Sequence, residues 1–161
     1  VESADVVRWP AKVLTVSDGV ASGRREDKSG AALADRLTEA GFMVVEREVV
    51  PDGAVKVASA LRRMGIGFFG LIVTTGGTGF GPRDLTPEGT RAAVDREAPG
   101  LAEAMRTASP YGRLSRAIAG TIGTALVLNT PGSQKGAIEY LDAVVDVLPH
   151  ALELLRGDHP H

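Results

Sequence analysis

The chain has 161 residues, 43% hydrophobic and 24% charged, with a net charge of −2; this describes one folded domain over 1–161 and excludes a disordered chain. Having no cysteine, it offers no disulfide, zinc ribbon, iron–sulfur ligand or thiolate nucleophile. Basic residues are scattered among acidic ones and no apolar run approaches the ~18 to 20 residues of a membrane span, so neither nucleic acid nor membrane is expected as a partner. Val1 to Lys12 has neither a basic start nor an apolar core segment, which makes a cytoplasmic location the expectation.

Ala11 to Val16 reads as a first strand, broken by Ser17-Asp18-Gly19. Ser29 is expected to cap a helix to Ala40, with Ala32, Leu33, Leu37 and Ala40 at helical spacing and Gly41 as its stop. Phe42 to Val50 is a β-branched run ended by Pro51-Asp52-Gly53, and Ala54 to Met64 is helical again with Val57, Ala58 and Leu61 inward. Leu71 to Thr75 is the next strand. This alternation predicts an α/β domain with a mostly parallel sheet. Pro87 to Arg96 and Leu101 to Ala108 read as helices. After Ser109-Pro110-Tyr111-Gly112 the pattern turns extended, with Ala117 to Ile122 and Ala125 to Thr130 forming a hairpin around Gly123-Thr124 and adding an antiparallel strand. A last helix runs from Ser133 through Leu155, with Ile138, Leu141, Leu148 and Leu152 on one face and a kink or break at Pro149. His150 on that helix and His159 and His161 in the tail read as solvated, without metal spacing.

The segment Thr74 to Glu88 carries most of the chemistry. A glycine-rich turn, Thr75-Gly76-Gly77-Thr78-Gly79, follows a buried strand, and Thr86-Pro87-Glu88 reads as a helix start with Thr86 as N-cap. Glycines let backbone N–H groups approach an anion without a Cβ in the way, and a helix amino end adds positive potential. The two common phosphate loops fail on spacing. Pro82-Arg83 follows Gly81 where a P-loop needs Lys and Ser or Thr, and Pro82 stands where a dinucleotide fingerprint needs its third glycine.

Asp84 sharpens the reading, because a carboxylate about 4 Å from a phosphate is repelled by ~4 kcal/mol at an effective dielectric of ~20. A divalent cation bridging the two relieves this, and Mg²⁺ suits a site of few carboxylates plus substrate phosphates. The plainer alternative is that Asp84 pairs with Arg83 or caps a turn. In parallel sheets ligands sit outside the carboxyl ends of strands. Ser17-Asp18, Asp52 and the loop Gly76 to Asp84 all follow strands, so three distant segments are expected to converge on one site. Pro131-Gly132-Ser133 offers another backbone wall, or a simple strand-to-helix turn.

The glycine loop with Pro82-Arg83-Asp84-Leu85-Thr86-Pro87-Glu88 resembles the signature of molybdenum-cofactor biosynthesis proteins of the MogA/MoaB type. The likeness extends through Thr15-Val16-Ser17-Asp18, Asp27-Lys28-Ser29-Gly30, Val50-Pro51-Asp52, Glu97-Ala98-Pro99-Gly100-Leu101, Leu114-Ser115-Arg116 and Asn129-Thr130-Pro131-Gly132. Where the family often continues with Asn-Pro or Ser-Pro, this chain has Ser133-Gln134. The resemblance implies a three-layer α/β/α sandwich and a Mg²⁺-dependent transfer of AMP from ATP to molybdopterin, with pyrophosphate released before molybdenum insertion. It also implies a homotrimer, or a hexamer of trimers, and a molybdenum-insertion partner. Asp52 and Asp84 match the family's catalytic carboxylates, and Ser115 matches a serine of its active site.

Elementary chemistry suits that implication. Adenylyl transfer brings two polyanions together, so positioning and charge neutralisation dominate and no covalent nucleophile is needed. The glycine amides from Gly76 to Gly79 are expected to hold phosphate, Arg116 to act as a bidentate donor, and Asp52 with Asp84 to hold the metal. Ser17, Asp18, Thr75, Thr78, Thr86, Pro87, Glu88, Pro131, Gly132 and Ser133 complete the expected binding set. A non-catalytic molybdopterin-binding homologue and a nucleotide or pterin hydrolase on the same scaffold stay open as alternatives.

Overall fold

The computed structural model describes residues 8–157; His159, His161 and the start of the Val1 to Lys12 segment lie outside them. A six-stranded sheet forms the centre, in the order β2-β1-β3-β6-β5-β4. Its strands are β1 (Pro10–Val16), β2 (Met43–Val50), β3 (Leu71–Thr75), β4 (Arg96–Glu97), β5 (Ala119–Ile122) and β6 (Ala125–Thr130). β2, β1, β3 and β6 run parallel, while β5 is antiparallel to both β6 and β4. The mostly parallel sheet and the antiparallel hairpin therefore match the sequence expectation.

Alternation along the central strands divides the core. Val13, Val73 and Leu128 face one side, where they pack with Leu33, Leu37, Met105 and Leu141. Leu14, Ile72 and Val127 face the other, against Val57, Leu61 and Met64. Such strands are apolar on both faces because helices cover both. The first layer holds α2 (Lys28–Glu39), α5 (Pro99–Thr107), α6 (Gln134–Val144) and α7 (Leu148–Arg156), and the second is built on α3 (Ala54–Gly65), with α4 (Thr86–Ala93) packed on it. α1 (Asp18–Ala21) is a single turn after β1. Because α2 and α3 leave β1 and β2 toward opposite faces, the chain changes direction between β1 and β3, and a crevice opens at their carboxyl ends. Among the described residues no helix is long and apolar enough to cross a membrane.

Local chemistry moves several boundaries. Asp27, not Ser29, caps α2: its carboxylate accepts from the Gly30 N–H at 3.0 Å and from Thr15 Oγ1, and pairs with Arg47. α4 stops at Ala93, short of the expected Arg96, because Val94 turns extended and Arg96–Glu97 pairs with β5. The expected last helix is two helices. Pro149 lies in the first turn of α7, where its missing N–H costs no hydrogen bond, so it starts a helix instead of kinking one.

Candidate functional site

Four neighbouring strands end side by side, and each sends a loop into the crevice. After β1, Ser17 caps α1, its Oγ accepting from the Val20 N–H at 3.2 Å. After β2 comes Asp52, after β3 the glycine loop, and after β6 Pro131-Gly132-Ser133. Ser133 Oγ caps α6 by accepting from the Gly136 N–H at 3.1 Å. Thr75 Oγ1 donates to the Pro131 carbonyl at 2.7 Å, tying the β3 and β6 loops together.

The glycine loop is held by its carbonyls. Gly76 O accepts from Thr86 Oγ1 at 2.8 Å, Gly77 O from the Thr86 N–H at 3.0 Å, Thr78 O from the Arg116 N–H at 2.9 Å and Gly79 O from Arg116 Nε at 2.9 Å. The amides of Gly77, Thr78 and Gly79 have no acceptor among the described residues. A backbone whose acceptors are taken and whose donors are free has the polarity of an anion cradle. Gly76 and Gly77 are obligatory for this shape. Their φ angles are +104° and +71°, and a Cβ would stand 2.2 Å from Val16 O and from Thr86 Oγ1 respectively.

Both carboxylates flank the turn. A Cβ placed on Gly77 would lie 3.3 Å from Asp52 Oδ1, and one on Gly79 3.1 Å from Asp84 Oδ2. Asp84 Oδ2 accepts from the Gly81 N–H at 2.9 Å, which folds the loop back on itself. Two cavities meet there. One, of about 650 Å³, is lined by Asp52, Asp84, Arg25, Lys28, Ser17 and the first glycines. The other, of about 600 Å³, is lined by Thr78, Gly79, Ser115, Tyr111, Leu114 and Glu139 among others. Gly77, Asp84, Gly132 and Ser133 line both.

Several residues of the expected binding set have partners within the fold. Arg116 directs its guanidinium at Gly79 O, Asp84 O and the Glu88 carboxylate, so it braces the loop from behind, and Glu88 is the partner that holds it. Thr86 is completely buried and is the first residue of α4 instead of its cap; its hydroxyl anchors Gly76, and Pro87 beside it is buried too. Asp18 is also a brace. Its carboxylate takes Arg83 Nε at 2.6 Å and Nη2 at 3.1 Å, so Arg83 pairs with Asp18 and not with Asp84. Ser115 is half-buried on the second cavity, with its Oγ accepting from the Ala117 N–H at 3.2 Å. Arg25, Lys28, Tyr111, Leu114 and Glu139 line the two cavities without being among the expected site residues. The charged run Arg24 to Lys28, between α1 and the start of α2, was the available signal for two of them.

Charge and burial set the electrostatics. Burial pushes the Asp52 carboxyl above its ordinary range; the Asp18 amide opposes this, and the negative charges of Asp18 and Asp84 add to the rise. Arg83 holds the Asp18 carboxyl below its ordinary range, chiefly through the hydrogen bond. Asp52 Oδ1 and Asp84 Oδ1 have no donor among the described residues, while their Oδ2 atoms are positioned by amides. Such a pair fits Mg²⁺, which takes few protein carboxylates and completes its shell with water and phosphate. No closed cage of three or more carboxylate or histidine ligands occurs among the described residues.

Comparisons with known proteins agree with this architecture. Residues 12–150 match the model of a probable molybdopterin binding domain. The chain is 36% identical to the molybdopterin adenylyltransferase of Helicobacter pylori strain J99, covering 91% of this chain and 88% of that protein. It is 37% identical to a molybdenum cofactor biosynthesis bifunctional protein of Chlorobaculum tepidum, over 91% of this chain but only 48% of the relative, so it spans about half of that protein. The crystal structure of the molybdopterin biosynthesis enzyme MoaB from Thermus thermophilus superposes with a TM-score of 0.86 at 46% identity, covering 92% of this chain and 97% of that one. The chain therefore belongs to the molybdopterin-binding domain family, among the molybdenum-cofactor biosynthesis proteins of the MogA/MoaB type.

Proposed function

We infer that the protein transfers AMP from ATP to molybdopterin with the help of Mg²⁺, giving adenylylated molybdopterin and pyrophosphate. The carrying observation is the row of unpartnered amides, Gly77 to Gly79, at the junction of two cavities with Asp84 on the seam. A reaction between two substrates needs two adjoining recesses and one place where their phosphates meet.

A phosphate oxygen of molybdopterin attacks the α-phosphorus of ATP, the bond from that phosphorus to the bridging oxygen breaks, and pyrophosphate leaves with the electron pair. The Gly77 to Gly79 amides face the charge that builds on the α-phosphoryl oxygens, and donors fixed in place need no reorganisation during the reaction. Arg25 and Lys28 supply positive charge on the first cavity, where a polyphosphate gains most. Mg²⁺, when bound by Asp52 and Asp84, supplies charge neutralisation and orients the phosphates. Arg116 and Glu88 keep the loop in the reactive geometry without touching substrate.

The test is to incubate the protein with ATP, Mg²⁺ and molybdopterin and resolve the products. Adenylylated pterin with one equivalent of pyrophosphate is expected. Binding of both substrates without product would leave a non-catalytic binder, and AMP released without adenylylated pterin would mean hydrolysis; either result overturns the transfer reading.

A further inference from the structure

Ser115 lines three recesses: the second cavity and two smaller ones, of about 450 and 310 Å³. Arg106 of α5 lines both smaller ones, and neither is lined by the glycine loop, Asp52 or Asp84. Three arginines, Arg91, Arg106 and Arg116, surround the smallest recess. Arg91 pairs with Glu97 and Arg116 with Glu88. Arg106 is half-buried, has no carboxylate partner among the described residues, and directs its guanidinium at a neutral acceptor: Nη1 donates to the Ala117 carbonyl at 2.8 Å. Drawing a charge partly out of water is unfavourable, and what offsets it here is a bond to the main chain beside Ser115.

Ala117 is the residue through which Ser115 is held. Its N–H donates to Ser115 Oγ at 3.2 Å while its carbonyl accepts from Arg106, so both of its main-chain polar groups are fixed. On the other flank the Ser115 N–H donates to the Gly112 carbonyl at 3.0 Å. Gly112 is packed so closely on the main chain of α5 that a Cβ there would overlap the Arg106 carbonyl. One residue thus supports the segment on both sides of Ser115, with its backbone against Gly112 and its side chain on Ala117. Because the Ala117 amide occupies a lone pair of Oγ, the hydroxyl proton is left to donate to a substrate oxygen in the second cavity. A donor held in place needs no reorganisation as phosphoryl charge builds. We propose that Arg106 is a positioning residue for the transfer, touching no substrate and acting by holding the Ser115 hydroxyl in its donating orientation. The inference rests on the proposed function in taking Ser115 as a group that meets substrate.

Steady-state formation of adenylylated molybdopterin by the intact protein tests it, with Arg106 changed in the parent and in Ser115→Ala. In the parent, Arg106→Ala is expected to lower kcat about tenfold or more, since small displacements of a reacting group are costly in rate, while KM for ATP stays within about twofold. In Ser115→Ala the same change is expected to lower kcat no further, because residues that act as a unit do not add. Arg106→Lys keeps an N–H donor and is expected to recover part of the loss. Equal losses in both backgrounds would mark a general structural role and overturn the inference, as would a parent-like rate in Ser115→Ala. Should Arg106→Ala fail to fold, Arg106→Lys in the two backgrounds makes the same comparison. If the parent forms no adenylylated product, the transfer reading fails and the inference with it; if the parent forms product and the losses multiply, the inference alone fails.

Discussion

Asp18 and Asp52 exchange hydrogen bonds across the crevice: the Asp18 N–H donates to Asp52 Oδ2 at 3.0 Å, and the Asp52 N–H donates to Asp18 Oδ1 at 3.1 Å. Arg83 closes this arrangement from the glycine loop, reaching both Asp18 carboxylate oxygens and the Asp52 carbonyl. The loops after β1, β2 and β3 are thus locked to one another by a single exposed ion pair and two backbone amides.

Asp18→Ala removes that lock, and its effect on turnover is expected to exceed its effect on stability. Exposed ion pairs contribute about 0 to 1 kcal/mol, so the urea midpoint should move little. A displacement of about 1 Å at the reacting groups costs on the order of 100-fold in rate. A variant with lower stability and parent-like kcat/KM would contradict a positioning role.

Behind the site, Asn129 is a buried polar hub. Its Nδ2 donates to Thr74 Oγ1 and Thr90 Oγ1, each at 3.0 Å, and its Oδ1 accepts from the Ile118 N–H at 3.2 Å. Asn129→Leu strands the Ile118 N–H and the Thr74 hydroxyl in the core, while the Thr90 hydroxyl keeps its bond to the Thr86 carbonyl at 2.8 Å. A loss of about 2 to 3 kcal/mol is expected from denaturant unfolding, since a buried group without its partner costs about 1 to 3 kcal/mol. A midpoint within error of the parent would show that the network relaxes freely.

Much of this frame was legible in the sequence. Val13-Leu14 and Leu71-Ile72-Val73 lie in the sheet centre because apolar residues on both faces require two covering layers, and the glycine turn was visible through Gly76 and Gly77. Side-chain direction was not legible. Arg116 has the residue type of a ligand donor, but its neighbours in space are the loop carbonyls of Asp84 and Gly79, which precede it by 32 and 37 positions. Thr86 has the residue type of a cap and acts as an anchor, because Gly76 O lies within reach of its hydroxyl. The openness of Tyr111 and Leu114 could not be read from a Ser-Pro-Tyr-Gly turn, since exposure depends on what the rest of the fold leaves uncovered.

A pH dependence of stability is expected at Asp95. Its carboxylate accepts from Thr121 Oγ1 and from the Gly123 N–H, the latter at 2.6 Å, and these bonds, the Thr121 one first, hold its pKa below the ordinary value. The unfolded chain then binds a proton more readily than the folded one, so the contribution is complete above the unfolded pKa of about 3.9 and is lost as pH falls through the depressed folded value. Unfolding of Asp95→Asn compared with the parent at pH 7 and near pH 2 should show a stability gap at pH 7 that narrows in acid. A gap constant with pH would rule out the charged form as its source.

Asp52 and Asp84 are expected to act together on phosphates held by the glycine amides, and single-turnover formation of adenylylated molybdopterin tests this most directly. Asp84→Asn and Asp52→Asn should each slow the step by a factor on the order of 100 or more, equivalent to at least ~2.7 kcal/mol of transition-state stabilisation, while both variants still bind molybdopterin; the double variant should be little slower than either single one. Parent-like rates in Asp84→Asn at saturating Mg²⁺, ATP and molybdopterin would contradict the account.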